Sequence, residues 1–365
     1  MDVESESYFS SNLVGYLIAW AVALTLSILI CRTSHYHSRL TSDTTEGIQK
    51  FHIGNIPRIG GLAVYVTLWV ISFTVTNNDI NEILRPLLYA VVPAFMSGLI
   101  EDITARINPG IRLLAVMSSG LLICLMTGIS IKSLNVIGLD QLIAIPAISI
   151  VITAFMLAGV ANAMNIIDGF NGLSTGSATI FFITFSVVAF SVNDAVLGVL
   201  CLLLAASVLG FWCVNYPFGK LFLGDGGAYL IGFILAWIAV LLPYRNGLSS
   251  WVSLLVCSYP VIEVLCSIVR RKINGHNPSQ PDCWHLHSLV KLVLVRSYFY
   301  HKPAWWRNSV VFVLLLPYIL LSQCLALAFF NQRNEIILAF IICALLYLWI
   351  YQYLIAKLHV LKDCQ

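Results

Sequence analysis

Apolar stretches of roughly 18 to 22 residues follow one another along the whole chain, and a helix needs about 20 such residues to cross a bilayer. Eleven can be drawn, at 12–31, 59–76, 84–100, 110–129, 141–161, 175–192, 196–214, 227–243, 249–269, 308–330 and 336–355. With 59% hydrophobic and only 10% charged residues, the composition excludes an ordinary soluble domain. The expected fold is all-α: a polytopic membrane protein with about eleven transmembrane helices, forming a single integral-membrane domain over residues 1–365. Asp2, Glu4 and Glu6 precede the first stretch, which argues against a cleaved signal peptide with its basic start.

Basic residues set the expected orientation. With the N-terminus outside, only Arg85, Lys132, Arg245 and Arg333 of the 20 Lys and Arg residues fall on the outer side. All eight histidines fall inside. This predicts a periplasmic N-terminus, a cytoplasmic C-terminus and, for a bacterial chain, the inner membrane. The net charge of +3 then reports sidedness and gives no reason to invoke nucleic acid. The ten cysteines have no metal-ligand spacing and lie mostly in apolar segments, as small membrane-helix residues.

Five inner loops carry the polar chemistry: 32–58, 101–112, 162–174, 215–226 and 270–307. They hold FHIGNIPRIGG, GLIEDITARINPGIR, NAMNIIDGFNGL, NYPFGKLFLGDGGAYLIG and RRKINGHNPSQPDCWHLHSLVK. Glu101 and Asp102 adjoin at a helix exit, as a solvated helix end or as an acid pair for metal or proton chemistry. Asp225 in LGDGG reads as a turn aspartate or as a ligand. Its flanking glycines supply positive φ and let backbone approach a bound molecule. Asn162, Asn165 and Asp168 share a helical face, which either binds neighbouring helices or faces a site. Glu263, inside the ninth stretch, is costly there and marks a functional site by default, or pairs with another helix.

Acids, amide oxygens and cations on one membrane face suggest Mg2+ and a pyrophosphate. Mg2+ takes one or two carboxylates and fills its octahedron with phosphate oxygens and water. Phosphoryl transfer needs positioning and charge neutralisation. Arg58, Arg106, Arg112, Arg270 and Arg271 are candidates for the latter.

Taken in order, PRIGG, the acidic pair before Ile103, NxxNxxDGxNGL, FLGDGG, the PxxE of the ninth stretch and the HxH of loop five resemble the polyprenyl-phosphate N-acetylhexosamine-1-phosphate transferase family. The resemblance runs from about residue 51 to 291. It implies transfer of a sugar 1-phosphate from a UDP-N-acetyl sugar to undecaprenyl phosphate, releasing UMP, with Mg2+ (or Mn2+ in its place) as cofactor. It implies Asp225 and Asn165 as metal ligands, with Asp102, Asp225, Asp168 and Glu101 as the catalytic acids. Phe222 and Asn171 would meet the uridine. Arg112, His285 and His287 would meet the phosphates and sugar, joined by Arg58 and Arg271 from the reading of the inner-face cations. A homodimer is a further expectation from relatives.

The pattern departs in four places. Glu101 stands where a first aspartate is common, Asn171 where aspartate is common, and Ser288 where a third histidine is common. PRIGG is nearer the lipopolysaccharide-initiating branch than the peptidoglycan branch, which points to O-antigen or a similar surface polysaccharide in a Gram-negative bacterium. The alternatives are a phospho-MurNAc-pentapeptide transferase or a polytopic transporter; the latter should show midplane polar sites and pseudo-symmetric halves. Direct attack by the lipid phosphate is preferred to an aspartyl-phosphate intermediate. Residues 288–306 read as an interfacial helix at headgroup level.

Overall fold

In the computed structural model the described residues are 8–9, 11–43, 56–75, 77–136, 138–275 and 284–363. The parts of the first and fifth loops at 44–55 and 276–283 lie outside them. Among the described residues the chain is helical, apart from a two-residue ladder between β1 (Ser42–Asp43) and β2 (Ile56–Pro57). The protein is an all-α, multi-pass membrane protein.

All eleven apolar stretches have a helical counterpart, but not all as one unbroken span. Eight helices are long and apolar enough to cross a bilayer, or up to ten if each of two bent pairs counts as one span. The eight are α1 (Leu13–Arg32), α6 (Pro109–Thr127), α8 (Pro146–Ile167), α9 (Leu173–Ser191), α10 (Ala195–Asn215), α11 (Gly224–Asn246), α16 (Ala304–Phe329) and α17 (Arg333–Asp363). The remaining stretch is the short α3 (Gly60–Thr74). Between these lie the small helices α2 (Ser34–Thr41), α7 (Leu139–Ile143), α14 (Leu286–Leu289) and α15 (Arg296–Tyr298). Large side chains such as Phe73, Leu125, Phe155 and Trp349 stay exposed on helix faces, as lipid contact requires.

The bent pairs have local causes. The stretch at 84–100 is α4 (Asn78–Ala90) followed by α5 (Val92–Thr104), bent by 46° where Pro93 begins the second helix without an N–H. The Ala94 N–H, left without a helical partner, donates to Ser119 Oγ at 3.0 Å. The stretch at 249–269 is α12 (Ser250–Val256) and α13 (Ser258–Ile273), bent by 83°. Pro260 cannot donate to the Val256 carbonyl four residues back. That carbonyl instead accepts from the buried Gln323 Nε2 of α16 at 3.1 Å, since a freed backbone group inside a membrane protein must find another donor.

Helix α11 is the centre of the bundle, packed against α3, α5, α8, α9 and α12. It is apolar on all sides, and Leu230, Phe233, Ile234, Leu235, Trp237 and Ile238 are buried. Glycines set its approach to its neighbours. A Cβ on Gly61 would lie 2.2 Å from the Gly227 Cα, and one on Gly98 would lie 2.4 Å from the Gly226 nitrogen. The glycines of LGDGG thus let helices approach each other, where the sequence suggested approach to a ligand; Gly224, at φ +78°, does supply the expected positive φ. At the opposite end, Asp194 caps α10 through Leu197 N at 3.1 Å and grips Arg245 of α11 at 2.7 and 2.9 Å.

The expected interfacial helix at 288–306 is different in kind. Its first part is α14 continuing into a π-helical turn, Val290–Val295. Leu289, Val290, Val293 and Val295 are buried inside the protein. Exposed aromatic residues begin only at Tyr298 and Tyr300. Those buried side chains pack against α16 and α17, so this part anchors the loop inward.

Gln323→Leu should leave the Val256 carbonyl unpaired. An orphaned buried acceptor costs about 1–3 kcal/mol. The expected outcome is a lower unfolding temperature in detergent; an unchanged one would show that the bend does not need this bond.

Candidate active site

The site is assembled at the start of α11. Backbone hydrogen bonds stitch the PRIGG loop to FLGDGG: Phe222 N donates to Pro57 O at 2.9 Å, Gly60 N to Phe222 O at 3.0 Å, and Gly61 N to Leu223 O at 2.9 Å. This places Arg58 over the helix N-terminus. From the other side the Asp102 carboxylate, at the end of α5, accepts from Asp225 N at 2.9 Å and Gly226 N at 3.0 Å. A carboxylate on the first amides of a helix satisfies donors that have no intrahelical partner and complements the helix dipole. Arg58 lies 3.5 Å from the same carboxylate. The Asp102 side chain is 1% exposed. Its neighbour Glu101 accepts from Ile107 N at 2.6 Å and ties down the following loop.

Asp225 is the hub. Its carboxylate accepts from Arg112 Nη1 at the start of α6 and from Asn165 Nδ2 at the end of α8, the latter at 3.1 Å; Arg58 approaches to 3.6 Å. Three of the polar loops thus meet a fourth at one carboxylate. Unlike Asp102, Asp225 remains 17% exposed. Arg112 also stands over the Tyr229 ring at 6.0 Å.

Asp168 caps the end of α8. Burial raises its carboxyl well above the usual carboxylate range; Arg58 opposes this and Asp102 adds to it. The turn after it, Gly169–Phe170, meets the histidines: the Phe170 and His287 rings are 5.6 Å apart. His285 and His287 are both buried and stacked at 5.2 Å. Burial pushes the His287 imidazole down to about 3, with Glu263 pulling upward and His285 adding to the drop, so it is neutral at physiological pH. Nearby Lys291, bonded to Asn308, is pushed down to about 7 by burial and by Arg307.

Of the uridine candidates, Asn171 lies on loop three and Phe222 on loop four. Phe222 is half-buried and fixed by its backbone bonds to PRIGG. Asn171 is 4% exposed and donates to Pro217 O at 3.0 Å, so its carboxamide holds the 215–219 turn. Arg271 is half-buried on the last turn of α13, beside Arg270, which donates to Tyr351 Oη at 2.8 Å.

Two residues that the sequence did not single out complete the frame. Asn215 accepts from Gly172 N at 2.6 Å and donates to Leu221 O at 2.8 Å, joining loops three and four. Asn308 holds Lys291. A polar residue ending an apolar helix was the only available signal for Asn215.

No group of three or more His, Cys, Asp or Glu side chains arranged for a metal occurs among the described residues. One partly exposed carboxylate beside one carboxamide is nevertheless a hard-oxygen donor set that suits Mg2+, which draws its other ligands from phosphate and water. The Asn165 carboxamide, turned over, would present its oxygen next to Asp225.

Fold and site together define a multi-pass membrane protein with an arginine-flanked carboxylate at a helix N-terminus. Residues 84–243 match the glycosyl transferase family 4 model. It is similar to the probable undecaprenyl-phosphate N-acetylglucosaminyl 1-phosphate transferase of Bacillus subtilis (strain 168), 26% identical over 244 residues, 66% of each chain. It is also similar to the undecaprenyl-phosphate alpha-N-acetylglucosaminyl 1-phosphate transferases of Yersinia pestis and Escherichia coli (strain K12). Each is 26% identical, over 251 and 252 residues, with 66% of this chain and 67% of the relative covered. The chain thus aligns with about two thirds of the length of these relatives.

Asp102→Asn turns one acceptor toward an amide as a donor. Bonds to charged groups are worth about 1.5–3 kcal/mol, so the substitution should lower the unfolding temperature. A residue acting only on substrate would leave that temperature unchanged.

Proposed function

We propose that the protein transfers a sugar 1-phosphate from a UDP-N-acetyl sugar to undecaprenyl phosphate, giving undecaprenyl-diphospho-sugar and UMP. The observation that carries this reading is Asp225, partly exposed at a helix N-terminus and ringed by Arg58, Arg112 and Asn165 from three other loops. The names of the two similar transferases support the same reaction.

In this reading the two arginines bind the diphosphate oxygens in fork geometry. Asp225 and Asn165 would hold Mg2+, which supplies Lewis-acid charge neutralisation when bound. An oxygen of the lipid phosphate attacks the β-phosphorus of the UDP-sugar. The bond from that phosphorus to the bridging oxygen breaks, and UMP leaves with the oxygen. Asp102 acts by holding the helix N-terminus and Arg58 in place. Phe222 and the turn that Asn171 supports form the uridine side. Asp168, Arg271 and the histidines line the phosphate and sugar side. The excess of basic residues at this end of the bundle supports a cytoplasmic site in a bacterial inner membrane, and the PRIGG variant supports a role in starting O-antigen or a similar polysaccharide.

Purified protein with Mg2+, undecaprenyl phosphate and a panel of UDP-N-acetyl sugars should release UMP from at least one sugar. Asp225→Ala should lower the rate on the order of 10²–10³-fold. No UMP from any sugar, or full activity in the variant, would contradict the proposal. Asn171→Asp sets a carboxylate against the Pro217 carbonyl, so a several-fold rise in KM for the UDP-sugar is expected; an unaltered KM would remove this loop from the uridine pocket.

A further inference from the structure

Glu263 is a carboxylate with no exposed surface, in the first turns of α13 just past the 83° bend. Both its oxygens are used. Oε1 accepts from His285 Nδ1 at 2.9 Å, and Oε2 accepts from Leu286 N at 3.0 Å. One turn earlier on the same helical face, the Tyr259 hydroxyl lies 3.2 Å from His287 Nδ1. His287 Nδ1 is itself 4.0 Å from Glu263 Oε2.

The two imidazoles are therefore docked by their Nδ1 edges onto one face of α13. They are stacked with 15° between their planes, so their Nε2 edges point away from α13 together. For His287 that direction is the Gly169 turn: its Nε2 would be 3.9 Å from a Cβ on Gly169. This turn follows Asp168, which closes α8 three residues after Asn165, a partner of Asp225. The histidine pair thus faces the site built around Asp225.

We propose that Glu263 is the positioning residue of this pair: it holds His285 as the Nδ1–H tautomer and thereby presents Nε2 to the phosphate groups of the substrates. A carboxylate on the far nitrogen fixes ring orientation and tautomer and stabilises the imidazolium. The Nε2–H of that imidazolium then donates to a phosphate oxygen. The role deepens the transferase reading and rests on it, but the tautomer does not. A histidine side chain free in water favours the Nε2–H form, so Nδ1–H at His285 needs the Glu263 carboxylate. The bend explains the placement. Pro260 and the redirected α13 bring an acid that would otherwise sit costly and alone in an apolar segment onto its partner from loop five.

The test is ¹⁵N spectroscopy of histidine-labelled protein in bilayers, with His285 assigned from the signal lost in His285→Gln. The wild type should show a protonated Nδ1 at His285, and Glu263→Gln should weaken or shift that signal. The same variant should lower kcat about 10- to 100-fold, with KM for the UDP-sugar changed much less, and Glu263→Asp should restore part of kcat. If Glu263→Gln does not fold, the wild-type spectrum still decides: a neutral His285 protonated at Nε2 with Nδ1 bare overturns the proposal. A Glu263→Gln spectrum identical to wild type overturns it too. If no sugar yields UMP yet the tautomer switches with Glu263, the positioning stands and the transferase reading fails.

Discussion

Two hydrogen bonds from the N-terminus of α11 to the Asp102 carboxylate hold the site together. They fix the end of α5 to the start of the central helix of the bundle. They also orient Asp225, the residue whose own amide is one of the donors. Arg58 approaches both carboxylates, so its position depends on the same arrangement. Without that cap the helix would begin with unpaired amides next to a cluster of charge. With it, one acid is buried on the helix amides and the other is left partly exposed.

The glycines make this contact possible. Gly61, Gly98, Gly226 and Gly227 bring three helices to backbone contact, close enough for a short aspartate side chain to reach amides on another helix. Small residues at helix crossings are the usual means of close approach in membranes, where burial of apolar surface gives little preference between helix and lipid. The same economy of polar groups governs the bends. Gln323 serves the carbonyl that Pro260 leaves free, and Ser119 serves Ala94.

The membrane-spanning architecture was legible because span length and hydropathy are local properties. The eleven stretches each became helix, but the two bends were not legible: a proline near a helix start reads the same whether the helix begins there or resumes. The polar loops were legible as a group. Their contacts were not, since each side chain's partners lie far away in sequence. Asp102 read as a catalytic acid, and its partners lie 123 and 124 residues on. Asn171 read as a base contact, and its carboxamide holds a turn 46 residues away. Glu263 was conspicuous because a lone acid in an apolar segment is costly, while its histidine partners were not derivable from that cost. The loop-five segment read as interfacial from composition, yet its first half is buried against α16 and α17.

The proposed function requires that the start of α11, with Asp225 between Arg58 and Arg112, receive a diphosphate. The most direct measurement is an electron cryomicroscopy structure with a UDP-N-acetyl sugar and Mg2+ bound. The diphosphate should lie at this helix N-terminus, with both arginines turned from Asp225 to its oxygens and Asp102 still on the Asp225 and Gly226 amides. A nucleotide bound elsewhere, or arginines still paired with Asp225 in the complex, would contradict it.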